Sequence, residues 1–348
     1  MIHFFPMFSN DASNSPLARE LAASGVEHRL LASELRLQYR SRLWLLLVGW
    51  PKVFLFAVRS AWRSLVKSTP RPEVVVLNSD IEVLVFGAFR ALGFAKTPRI
   101  VLVGFIFTSR DSRLHMALRT LYFRCVFAFA DIVLCHSKFE LDNYRRIFRG
   151  CRARFAYIPY GMHVAGRESV SSVAIEPRYV LAAGRSGRDY RTLFEAVRGR
   201  EIQLRVVCDS SDALAGLDVP PNAIVLRNCY GGEYISELAG ASIVAVPLAV
   251  DNISAGQMVM LQAMAFGKPV IVTRTPTIEE YVADREQAVL VPRGDPAAMR
   301  SAIESLLSTP ERIDAMGQAG LRTFEEKFSM RSYVRNVLAA IRDSRDLL

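Results

Sequence analysis

The chain reads as an α/β protein built from two doubly wound, Rossmann-like domains facing across a cleft. Three observations predict it. Apolar runs of strand length alternate with helical patterns along all 348 residues. A polar stretch, Gly166–Pro177 (GRESVSSVAIEP), interrupts that alternation and reads as an interdomain linker. A loop of small and polar residues, Asp251–Gln257, feeds an apolar helix over Met258–Phe266, which stops at Gly267-Lys268-Pro269 and re-emerges as the strand Val270–Thr273. The domains implied are 1–165, 178–327 and a terminal helix over 328–348.

Composition bounds the function. A hydrophobic content of 51% with 22% charged residues excludes disorder and allows two cores. Five cysteines, Cys125, Cys135, Cys151, Cys208 and Cys229, contain no Cys-x-x-Cys pair, which argues against zinc and a disulfide framework and fits a reducing compartment. The first residues lack a basic segment and a long apolar core, so they read as a strand and not as a secretory signal. The net charge of +10 is uneven: residues 1–165 hold 23 Lys and Arg against 11 Asp and Glu, or +12, leaving −2 for the rest. Such an excess suits an anionic surface.

In order, Ile2–Pro6 is the first strand, a polar loop leads to Pro16, a helix spans Leu17–Ala23, and Val26–Leu31 is the next strand. The segment 36–67 carries all three tryptophans, Trp44, Trp50 and Trp62, among Lys52, Arg59, Arg63 and other cations. Its uninterrupted apolar part, Leu43–Trp50, is about half the length of a spanning helix, and Pro51-Lys52 should break it. Aromatic and basic groups on one helix suit the plane of an anionic membrane. Nucleic acid is disfavoured because Leu45-Leu46-Leu47-Val48 is more aliphatic than a base-stacking platform. Trp44, Trp50, Lys52, Arg59, Trp62 and Arg63 are therefore the candidate membrane contacts.

Strands follow at Glu73–Asn78, Arg99–Phe107, Asp131–His136 and Phe155–Pro159, separated by helices over Ile81–Leu92, Leu114–Ala130 and Lys138–Phe148. Ligands of open α/β sheets sit beyond the carboxyl ends of strands, which makes Asp80, Arg110 and Asp111 candidate cleft residues. The first loop adds Asn10, Asp11, Ser13 and Asn14. No general base stands out; Asp11, Asp111 and His115 are the candidates. In the second domain strands are expected at Arg178–Ala183, Gln203–Cys208, Ala223–Leu226, Ala241–Pro247 and Ala288–Pro292. Asp209–Asp212 reads as a loop, its spacing wrong for a metal motif. The helix N-terminus after the 251–257 loop offers unpaired N–H groups at the positive end of a dipole, a ready diphosphate site.

The 251–273 segment resembles the donor-binding motif of retaining glycosyltransferase family 4, in the GT-B superfamily. Ala263-Met264-Ala265, Gly267 and Pro269-Val270 match. Ser254 and Gln262 stand where that family has two glutamates, the first on the transferred sugar and the second on the ribose. Gly184-Arg185-Ser186-Gly187-Arg188 resembles the loop gripping the donor diphosphate, and the terminal helix resembles one that packs back across the first domain. The resemblance implies a metal-independent, retaining hexosyltransferase with the nucleotide-sugar as co-substrate and no other cofactor, UDP-sugar favoured over GDP-sugar. Gly184, Arg185, Arg188, Ser254, Ala255, Gly256, Gln257 and Gln262 would bind the donor. The basic first domain would face a lipid-linked or oligosaccharide acceptor at the inner face of the cytoplasmic membrane, in bacterial surface polysaccharide synthesis. The substituted glutamates leave open a non-catalytic partner subunit, and the fold leaves open a nucleotide-sugar epimerase.

Overall fold

The computed structural model of the protein describes residues 1–5, 15–31, 44–94, 98–107, 112–167, 178–251 and 253–343. Asn10, Asp11, Ser13, Asn14, Arg110 and Asp111, and most of the expected linker, lie outside them. The chain forms two compact units, one of Met1–Pro159 with Tyr333–Leu348 and one of Tyr160–Ser332. The division falls at Pro159, ahead of the expected 165, because Tyr160 and Met162 already bond within the second unit. Tyr160 N donates to the Tyr281 hydroxyl at 2.9 Å and Met162 N to the Phe328 carbonyl at 2.9 Å.

The first unit holds a six-stranded parallel sheet in the order β2-β1-β3-β4-β5-β6. Its strands are β1 (Ile2–Phe4), β2 (His28–Leu30), β3 (Val74–Leu77), β4 (Arg99–Val103), β5 (Ile132–Cys135) and β6 (Arg154–Tyr157). Its helices are α1 (Pro16–Ala23), α2 (Trp50–Ala61), α3 (Asp80–Ala91), α4 (Arg113–Phe129) and α5 (Lys138–Ile147). Valine-rich β3 and β4 are buried on both faces, as strands between helical layers must be. β4 ends earlier than its apolar run suggested. Gly104 turns the chain at φ +75°, and Phe105 and Phe107 leave the ladder to join a ring cluster with Phe123, Phe127 and Phe148.

The break expected at Pro51-Lys52 does not occur. A π-helical turn, Leu45–Gly49, runs directly into α2, and a second one, Trp62–Val66, continues it. A widened turn absorbs the donor that proline lacks, so the helix passes through. Behind the sheet, Arg90 and Asp131 form a largely buried ion pair at 2.6 Å, with Ile100 N also donating to that carboxylate at 2.8 Å.

The second unit repeats the plan with the order β12-β11-β10-β7-β8-β9. Its strands are β7 (Tyr179–Ala183), β8 (Gln203–Val207), β9 (Ala223–Leu226), β10 (Ile243–Val246), β11 (Val270–Thr273) and β12 (Ala288–Val291). Helices α6 (Tyr190–Val197), α7 (Ser211–Leu214), α8 (Gly231–Gly240), α9 (Gln257–Ala265), α10 (Pro276–Glu279), α11 (Pro296–Leu307) and α12 (Pro310–Thr323) connect or flank them. Where a loop was expected over Asp209–Asp212, Ser210 caps the one-turn α7 by accepting from Ala213 N. α9 and α11 bury opposite faces of the sheet in separate cores. From Tyr333 on, the last helix, α13 (Met330–Asp343), belongs to the first unit, where Tyr333, Val334 and Val337 line a cavity with Phe4, Phe5 and Val76.

Candidate nucleotide-sugar site

In the second sheet β7 leads to β8 on one side and lies beside β10 on the other, so strand order reverses between β7 and β10. Loops leaving such a pair part at the carboxyl ends and open a crevice for ligand. Here they are Gly184–Asp189 and Pro247–Gly256, and they are stitched at their bases. Asp189 N donates to the Pro247 carbonyl at 3.1 Å and Ala249 N to the Gly187 carbonyl at 2.9 Å. Leu248 N donates to Thr273 Oγ1 of β11 at 2.9 Å.

Six of the eight donor-site candidates meet here: Gly184, Arg185, Arg188, Ala255, Gly256 and Gln257, with Ser254 on the same loop and Gln262 further along α9. Gly256 is the N-cap of α9, with φ +86° and no side chain to cap the helix, so its N-terminal N–H groups receive no capping bond from that position. A Cβ on Gly256 would lie 2.9 Å from Val246, so the loop is pressed on the end of β10. Gln257 is buried, and its Nε2 has no hydrogen-bond partner among the described residues. An orphaned amide donor beside an uncapped helix start fits a group rich in acceptor oxygens, such as a diphosphate.

The two arginines do different work. Arg188 folds back on its own loop: Nε donates to the Ala183 carbonyl at 2.8 Å and Nη1 to the Ser186 carbonyl at 3.1 Å. Burial lowers its pKa, with the neighbouring tyrosines opposing the shift. Two of its donors thus shape the loop. Arg185 is exposed and its charge bears on Asp209 and Tyr230. A hydrogen bond from Tyr230 and one from Asn228 N hold the Asp209 carboxyl below its ordinary range.

Two tyrosines were not singled out in the sequence. Tyr190 donates its hydroxyl to the Gly184 carbonyl, and Tyr234 of α8 donates to Gln262 Oε1 at 2.8 Å. Tyr234 lies on α8, and its partner, 28 residues away, has no local signal in the sequence.

In the first unit Asp80 accepts from Ile81 N at 3.1 Å and from the Tyr122 hydroxyl at 2.8 Å, which ties α3 to α4. His115 is exposed in the first turn of α4, its N–H donating to Ser112 Oγ at 3.4 Å. Asp11 and Asp111 are outside the described residues. Among the described residues no three His, Cys, Asp or Glu side chains gather as a metal site. The candidate membrane contacts Trp50, Lys52, Arg59, Trp62 and Arg63 are all exposed, whereas Trp44 is half-buried. No helix among the described residues is long and apolar enough to cross a membrane.

Two six-stranded parallel sheets flanked by helices make each unit Rossmann-like, and the second carries a phosphate-compatible switch point. Residues 190–309, within the second unit, match the family described as glycosyl transferases group 1. Part of the chain is 34% identical over 102 residues to a D-inositol 3-phosphate glycosyltransferase of Segniliparus rotundus, covering 29% of this chain and 22% of that protein. Sucrose-phosphate synthase from Thermosynechococcus elongatus shares the fold with a TM-score of 0.68 at 16% identity, over 99% of both chains. A Rickettsia africae glycosyltransferase does so at 0.65 and 14%, over 98% of this chain and 97% of its own. Anabaena HepE, solved in complex with UDP and glucose, does so at 0.61 and 12%, over 98% and 99%.

Proposed function

We propose that this protein transfers a sugar from a nucleotide-sugar, UDP-linked in preference to GDP-linked, to a lipid-linked or membrane-associated glycan. The setting is bacterial surface polysaccharide synthesis (exopolysaccharide, capsule or lipopolysaccharide), at the inner face of the cytoplasmic membrane. The observation that carries the donor half is the switch point between β7 and β10, where the uncapped start of α9 and the orphaned Gln257 amide await acceptor oxygens. That HepE was solved with UDP and glucose supports a uridine donor.

Charge grows on the leaving diphosphate as the glycosidic bond breaks. Arg185 and the N–H groups of α9 would meet it, and Arg188 would hold the loop in shape. Preorganised donors of this kind stabilise the transition state without reorganising during the reaction, and the step as drawn asks nothing of a metal. Ser254 would lie toward the transferred sugar. Anomeric retention follows from the family resemblance.

The acceptor half rests on the outer surface of the first unit. Trp50, Phe54, Leu55 and Trp62 are exposed on α2 and its continuation, with Lys52, Arg59 and Arg63 among them. Trp62 packs against Phe89 and Phe94, which extends the apolar surface to Leu92, 72% exposed at the end of α3. Rings and aliphatic chains beside cations suit the boundary of an anionic bilayer. The test is transfer of radiolabel from UDP-sugars into bacterial lipid extract. Label in the organic phase supports the reading; label found only in free sugar, or nowhere, contradicts it.

A further inference from the structure

Helix α4 is apolar on both sides. Phe123, Val126 and Phe127 are buried in the core beneath it, as a helix lying over a sheet requires. Leu114, Leu118 and Leu121, however, are 70%, 56% and 60% exposed. They recur at spacings of four and three, and Leu118 stands about two and a half turns from Phe127, so the stripe points directly away from the core. Cys125 continues the stripe and is exposed. Arg113 and Arg124 are exposed on one flank of it, whereas Arg119 lies over the Phe107 ring at 4.9 Å.

The stripe belongs to a wider surface. Ala57 and Ala61 of α2, Val83 and Phe86 of α3, and Phe123 and Phe127 of α4 share one core, so the three helices form one layer with a common outer side. α3 and α4 pack closely, since a Cβ on Gly87 would collide with Phe129, and α3 exposes only small Ala88 and Ala91 along its length. The three helices carry two carboxylates. Glu82 is buried, and Asp80 is bonded to Ile81 N and the Tyr122 hydroxyl. Lys52, Arg59, Arg63, Arg113 and Arg124 are exposed. What covers this layer must therefore be apolar and anionic at once. A second copy would bring the same cations against it, whereas the boundary of an anionic bilayer meets both demands. We propose that α4 is a second lipid-contacting helix, entering that boundary through Leu114, Leu118 and Leu121 alongside α2. The inference rests on the membrane reading above and deepens it. One helix alone leaves the first unit free to roll on the surface; two fix which side lies down.

Two measurements on the full chain test it. Bimane attached to Cys125 reports on the stripe, with Cys125→Ser as the labelling blank. Phosphatidylserine vesicles should shift its emission to the blue, and brominated acyl chains should quench it. Leu118→Gln combined with Leu121→Gln should lower vesicle sedimentation by about tenfold or more, at high salt as well as low, with an unchanged urea midpoint. If that variant sediments like the unmodified protein and the label stays in water, while Lys52→Glu, Arg59→Glu and Arg63→Glu combined lose binding, the inference falls and the membrane reading stands. A blue shift that grows with protein concentration in the absence of vesicles assigns the stripe to a second copy and overturns the inference as well. If the unmodified protein does not sediment with the vesicles, the membrane reading falls and takes this inference with it.

Discussion

The guanidinium of Arg188 lies directly over Gly184: a Cβ at 184 would sit 2.6 Å from Nη2 and 3.1 Å from Nε. Gly184 also has φ +103°, a conformation that side chains rarely adopt. Gly184→Ala should therefore push Arg188 off the Ala183 and Ser186 carbonyls and strain the backbone. We expect a loss of about 1–3 kcal/mol in urea unfolding and a matching loss of nucleotide affinity. Unchanged stability would show that the loop relaxes without cost.

Gln257 should show a trade between stability and binding. Its buried, unpaired Nε2 is a desolvated donor that the folded protein carries without return. Replacing it by leucine should raise stability by about 1 kcal/mol while weakening UDP binding in equilibrium dialysis. A destabilised variant with unchanged binding would contradict the assignment.

Two buried groups titrate against each other. Burial raises Glu82 from 4.5 to about 7, with nearby backbone N–H groups opposing the shift. Its folded state binds the proton more tightly than the unfolded chain, so its contribution is full at low pH and is lost as pH rises from 4.5 through 7. Burial, helped by the Arg29 charge, lowers His3 from 6.5 to about 4. The unfolded chain binds that proton more tightly, so stability rises between pH 4 and 6.5. Glu82→Gln should remove the first slope and expose the second, a rise on the order of 2–3 kcal/mol in urea unfolding from pH 4 to 6.5. A flat profile in that variant would contradict the His3 burial.

The lipid-facing surface should respond to charge and salt. Lys52→Glu, Arg59→Glu and Arg63→Glu combined should lower sedimentation with phosphatidylserine vesicles by at least a hundredfold, at roughly 1 kcal/mol per cation removed. Trp50→Ala should weaken binding at high salt as well as low, because its contribution is area buried and not charge. Equal sedimentation of the triple variant would remove the membrane reading.

Much of this was legible where glycine and proline punctuate the chain. Gly267 takes the left-handed cap at φ +62° and β11 begins beyond Pro269, as the pattern of the 251–273 segment requires. Apolar content alone misled at β4, since Phe105 and Phe107 fill a core and not a strand. Pro51 misled because a missing donor is visible in sequence and a π turn that tolerates it is not. Arg188 read as a phosphate ligand, yet which carbonyls a guanidinium folds onto depends on the loop's path. The Tyr234–Gln262 contact joins two helices, and only the packing of α8 beside α9 creates it.

The central claim is that the switch point of the second sheet binds the nucleotide of a sugar donor. Calorimetric titration with UDP, GDP and ADP, repeated on Arg185→Ala, tests it most directly. The account predicts micromolar binding of UDP in preference to GDP, weakened at least tenfold in the variant, in line with the loss of a charge-assisted contact. No heat from any of the three nucleotides, or binding indifferent to Arg185, would contradict it.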